Sequence, residues 1–155
     1  MPLIRPLILA ATAAILAAPA HAAPTDACAV LTQAQVGAAL GAPVEAGKPI
    51  TPTDHKVCSW AGGKAGFVTL MLQTADQFDR ARQQAQTSAI GRAFPVTQVS
   101  GIGDSAMFVG LGDNVSLAVK KGAAAFKVTV YKHGVPVDDK RAAEKTLAAN
   151  ALSRL

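Results

Sequence analysis

The run Val115-Ser-Leu-Ala-Val-Lys120-Lys-Gly-Ala-Ala-Ala-Phe126-Lys-Val-Thr-Val-Tyr131-Lys132 decides how this chain folds. In its first arm Val115, Leu117 and Val119 alternate with Ser116, Ala118 and Lys120. In its second, Phe126, Val128 and Val130 alternate with Lys127, Thr129 and Tyr131. A period of two is the mark of a strand, because successive side chains leave opposite faces. The glycine-containing join makes the two arms a hairpin. One face is apolar and the other partly polar, the pattern of an antiparallel sheet covered on one side.

Upstream of this hairpin, Ser105 to Val109 reads as a third arm. Val57-Cys58-Ser59-Trp60 and Phe67 to Gln73 read as two further strands joined across Gly62 to Gly66. Three helices punctuate the strands. Thr32 with Gln35 forms a capping box ahead of Val36, Ala39 and Leu40, and Gly41 closes that helix. Thr74 with Gln77 repeats the box ahead of Phe78, Ala81, Ala85 and Ala89, whose spacing of three and four residues marks one helical face; Gly91 ends it and Pro95 prevents its resumption. Asp138 is read as the N-cap of a last helix carrying Ala143, Leu147, Ala151 and Leu155 on one side. Glu45 to Lys56, rich in proline, threonine and aspartate, is read as a loop. The expectation is an α+β domain in the order α-β-β-α-β-β-β-α, an antiparallel sheet of about five strands with the helices packed on one face.

The N-terminus sets the address. Arg5, an apolar run from Leu7 to Ala18, and the small-x-small triplet Ala20-His21-Ala22 are the three parts of a secretory signal. The run is too short for a bilayer span, which takes roughly 20 residues. Residues 1–22 are therefore expected to be a cleaved signal peptide and residues 23–155 one domain, soluble and periplasmic or secreted, with no membrane span. No cysteine directly follows the apolar core, so no lipid anchor is expected. The formal net charge is +5, one less without Arg5. With one tryptophan and one tyrosine there is no aromatic platform for nucleic acid.

Two cysteines in an exported chain, Cys28 and Cys58, read as one disulfide. Two other readings compete: His55-x-x-Cys58 as half of a metal site, and a catalytic thiol. A tetrahedral site takes three or four ligands, and beyond the signal only His55 and His133 join the cysteines; a catalytic thiol needs one cysteine free. No metal and no cofactor is expected.

Other motifs resolve to structure. Gly101-Ile-Gly-Asp104 and Gly110-Leu-Gly-Asp113 lead into strands, unlike a phosphate loop, and lack the spacing and copy number of calcium-binding repeats; they read as positive-φ turns. No serine sits in a nucleophile motif. His55 and His133 have no partner visible in sequence, and Asp138-Asp139 suit a helix start. The chain is expected not to be an enzyme.

Taken together, Cys28-Ala-Val-Leu-Thr32, Leu40-Gly-Ala-Pro-Val44, Cys58-Ser-Trp60 and Gly101-Ile-Gly-Asp104-Ser-Ala106 resemble a family of exported bacterial domains best known from actinobacterial cell-envelope lipoproteins. The likeness spans nearly the whole chain after the signal. It implies a Cys28–Cys58 bridge stapling the first helix to the Trp60 strand, and it carries no catalytic residues. The missing lipidation cysteine departs from the pattern. The functional expectation is a non-enzymatic envelope module that binds a partner or small molecule through the polar sheet face, at Lys120, Lys127, Thr129 and Tyr131. Alternatives are an inhibitor of a secreted hydrolase, using the loop at Gly101–Ser105, or an envelope hydrolase using His133 or His55.

Overall fold

The structure is a computed structural model that describes residues 24–87 and 95–155. The expected signal peptide, together with Ala89 and Gly91 of the second helix's expected end, lies outside the described residues. Seven strands form one antiparallel sheet: β1 (Lys48–Thr51), β2 (Asp54–Ala61), β3 (Phe67–Thr74), β4 (Val96–Val99), β5 (Ser105–Leu111), β6 (Asn114–Lys121) and β7 (Ala124–Tyr131). Among the described residues three α-helices accompany them: α1 (Gln33–Leu40), α2 (Ala75–Thr87) and α3 (Val137–Leu152).

The spatial order is β1-β2-β3-β7-β6-β5-β4. Two meanders, β1 to β3 and β4 to β7, are thus connected by α2, and the last strand of the second docks beside the last strand of the first. The central β3–β7 ladder is the longest, from Phe67 opposite Tyr131 to Thr74 opposite Ala124.

The two strands beyond the expected five are both short edges. Lys48–Thr51 falls inside the stretch read as a loop. Its Pro49 lacks an amide proton, and such a residue is tolerated at a sheet edge, where the missing donor faces no partner; the register against β2 shifts between Pro49 and Thr51. Val96–Val99 is the opposite edge, four residues with no fully buried side chain.

The caps behave as chemistry demands. Thr32 Oγ1 accepts from the Gln35 amide at 3.2 Å while the Gln35 side chain accepts from the Thr32 amide at 2.9 Å, and Gly41 closes α1 in the left-handed region at φ 70°. Thr74 and Gln77 make the same reciprocal pair before α2. The last helix begins two residues earlier than expected: Pro136 takes the cap position, without a side-chain bond, and Asp138 and Asp139 lie in the first turn. Both anions there oppose the positive end of the helix dipole. The turn reading of the paired Gly-x-Gly-Asp motifs holds, with Gly103 at φ 58° and Gly112 at φ 56°. At Gly103 a β-carbon would stand 2.5 Å from the Lys120 carbonyl oxygen, which explains glycine there.

The helices do not share one face. Val36 and Leu40 of α1 and Leu147, Ala148 and Ala151 of α3 join Trp60, Leu70, Leu117, Phe126 and Val128 in the main core. Helix α2 lies on the other face, where fully buried Phe78 meets Met107, Ala118 and Ala125. Those strand residues have the opposite parity to Leu117 and Phe126. Alanine at 118 and 125 leaves room there for a phenyl ring, so the face that reads as polar in sequence has its own apolar anchor.

Cys28 and Cys58 are bonded, with their Cα atoms 5.0 Å apart. Both sulfurs being in the bridge, neither is a free thiol or a metal ligand. The bridge holds β2 to a short 3₁₀ turn at Ala27–Ala29, just ahead of α1 rather than within it. Trp60 is buried beside it: a β-carbon on Gly47 would come within 2.5 Å of the Trp60 indole nitrogen and 2.8 Å of Cys58 Sγ.

Candidate functional site: the α2 face of the sheet

Strand register places Lys120, Lys127, Thr129 and Tyr131 on one face, the one α2 crosses. Their environments differ. Lys120 is committed within the fold: its ammonium reaches both carboxylate oxygens of Asp79 on α2, at 2.9 and 3.0 Å, and lies 5.8 Å from the centre of the Phe78 ring. The hydrogen bond from Lys120 is the main influence holding the Asp79 carboxyl below the usual carboxylate range. Arg82 adds a second contact to Asp79 at 3.3 Å. These contacts fasten α2 to β6.

Thr129 is buried, and its hydroxyl is 2.8 Å from that of Ser116 on β6. Cross-strand hydroxyl pairs of this kind contribute a fraction of a kcal/mol, roughly 0.2–1. In the same register row Thr69 faces Thr129, and Ser59 faces Thr69, so hydroxyls run across four strands. Lys127 lies between Met71 and Ala118 in the next row, half-buried.

Tyr131 stacks on Phe67 of β3, ring centres 4.3 Å apart and planes within 19°. Such pairs add about 0.5–1.5 kcal/mol beyond the area they bury. Each member remains 37% exposed. Leu111 ends β5, two residues on from Val109 on the same side, and is 56% exposed. Phe67 starts β3, Tyr131 ends β7 and Leu111 ends β5; in this antiparallel order all three stand at the same end of the sheet. Among the described residues there are four exposed large hydrophobic side chains; three are at this end, and the fourth, Ile50, is on the β1 edge at the opposite end.

Of the four residues chosen from sequence, the structure therefore leaves Lys127 and Tyr131 accessible in part and gives Lys120 and Thr129 intramolecular partners. Phe67 and Leu111 were not among them. The only sequence signal for Leu111 was its place inside Gly110-Leu-Gly112, where an apolar side chain in a glycine turn has no core to enter. His55 and His133 are not brought together: His55 is the second residue of β2 and His133 follows β7, at opposite ends of the sheet. His55 Nδ1 is 3.9 Å from Asp26, and both side chains are largely exposed.

Among the described residues no helix is long and apolar enough to cross a membrane. No family model, no curated protein and no solved structure matches the chain.

Proposed function

We propose that this protein is an exported, non-enzymatic module of the cell envelope that binds a partner through the Phe67–Tyr131–Leu111 end of the α2 face. One observation carries the reading: among the described residues, three of the four exposed large hydrophobic side chains share one end of one sheet face. Single exposed apolar residues are ordinary on protein surfaces, whereas a group of them beside polar ones marks interaction surfaces. Tyr131 offers a ring and a hydroxyl together, a combination that serves recognition well. Lys127, two rows further along the same face beyond Thr129, adds a positive charge to that side of the sheet. The disulfide supports the exported address, since such bonds persist in oxidising compartments.

The test is a Leu111→Ser/Tyr131→Ser double variant, checked for retained fold by circular dichroism and presented to isolated envelope fractions: membrane vesicles and cell-wall sacculi. Binding seen with the unmodified protein should fall at least tenfold. Equal binding by the folded double variant would eliminate this surface.

A further inference from the structure

The β6–β7 ladder ends at Leu117 opposite Val128, two residues short of Val130. Val130 is buried in a central strand, where an amide without an acceptor is costly. Its partner comes from a helix: Glu144 of α3 reaches across the helix–sheet interface, and its Oε1 accepts from the Val130 amide at 3.0 Å. Glu144 is fully buried. Its second oxygen, Oε2, has no hydrogen-bond partner, and neither has the buried Nε of Arg141 one turn back. This carboxyl finishes the pairing of a central strand that β6 leaves incomplete.

We infer that Glu144 is a pH-responsive wedge: the buried carboxyl that completes the pairing of Val130 also seats α3 on the sheet, so its protonation is coupled to that seat.

The charges around it are few. On α3 itself Lys140 and Arg141 are near enough to favour the ionised form, but the Lys140 ammonium is bonded to the Asp113 carbonyl at 3.2 Å and Arg141 contacts Asp138 at 3.3 Å. From β7, Lys132 bonds the Leu40 carbonyl; from β6, Lys121 bonds the Leu152 carbonyl; α1 carries no charged residue. Burial outweighs the Val130 hydrogen bond and the two flanking cations, and pushes the carboxyl up to about 8. The direction of the stability effect follows. The unfolded chain releases this proton near 4.5, while the folded chain keeps it to about 8. Between those values the folded state binds one more proton, so stability falls as pH rises, and above about 8 the fall stops.

Glu144→Gln keeps the acceptor for Val130 and cannot ionise. Urea unfolding of the oxidised protein and of E144Q is compared across this range, alongside a carboxyl-carbon NMR titration of the unmodified protein. The expected result is an unfolding constant that rises, relative to E144Q, by up to tenfold per pH unit, together with a Glu144 signal that titrates well above the ordinary range. Parallel stability curves, or a Glu144 carboxyl titrating near 4.5, would overturn the inference. If E144Q does not fold, the carboxyl titration decides alone.

Discussion

Along β7 the two faces of the sheet diverge residue by residue. Phe126, Val128 and Val130 enter a core closed by α1 and α3, whereas Ala125, Lys127, Thr129 and Tyr131 face α2 at one end and expose a stacked ring at the other. The strands are common to both sides, so the difference comes from what alternates along them and from how much helix lies above. On the α1–α3 side the inward positions of β7 are Phe126, Val128 and Val130, and the same core continues to Leu147 and Ala151 of α3. On the α2 side a single phenyl ring anchors the helix, assisted by the Asp79–Lys120 pair. Two well-filled layers give a stable sheet; a third layer that stops short leaves the Phe67–Tyr131 end of that face exposed.

Substitutions on one strand can break this comparison most sharply. Phe126→Ala should cost about 4 kcal/mol, the range for emptying a large buried ring site. By contrast Leu111→Ser, at the open end of the other face, should stay within about 0.5 kcal/mol, as surface changes do. Both are read as midpoint shifts in urea unfolding monitored through Trp60 fluorescence. Comparable losses would mean that the exposed end is a structural element. Next in size is the bridge. Replacing Cys28 and Cys58 by serine should cost roughly 3–4 kcal/mol by loop-closure entropy, since the loop between them spans 30 residues. The loss should be on the α1–α3 side, detected as faster amide exchange in β2 with α2 unchanged. Smallest per step is the Glu144 dependence, a slope of at most about 1.4 kcal/mol per pH unit for one linked proton, expected to be absent in E144Q.

Much of this was legible in the sequence, for identifiable reasons. Strict alternation from Val115 to Tyr131 reveals strand, hairpin and core parity together, and the two Thr/Gln capping boxes mark the starts of α1 and α2 within a residue. The edge strands were not legible because four residues with a proline, or four after a proline, carry too little pattern to outweigh loop chemistry. The split of the helices between faces was hidden for another reason. Ala118 and Ala125 are neutral in an alternation pattern, and only their juxtaposition across β6 and β7 shows a pocket for Phe78. The site was half legible: alternation put Lys120, Lys127, Thr129 and Tyr131 on one face, but could not show that Asp79 engages the first or Ser116 the third. Phe67 and Leu111 became visible only when the strand order brought their ends to the same edge. Glu144 has no signal in the sequence, since nothing local indicates that β6 stops pairing before Val130.

The most direct test of the two-sided account compares the two most exposed large hydrophobic side chains among the described residues, Leu111 at 56% and Ile50 at 57%. A photoreactive phenylalanine placed at each in turn, in the disulfide-bonded protein and in the presence of the intact envelope fraction, differs only in where it stands. The account predicts covalent adducts of a defined size from position 111 and few or none from position 50. Equal adducts from both, or adducts from position 50 alone, would contradict it.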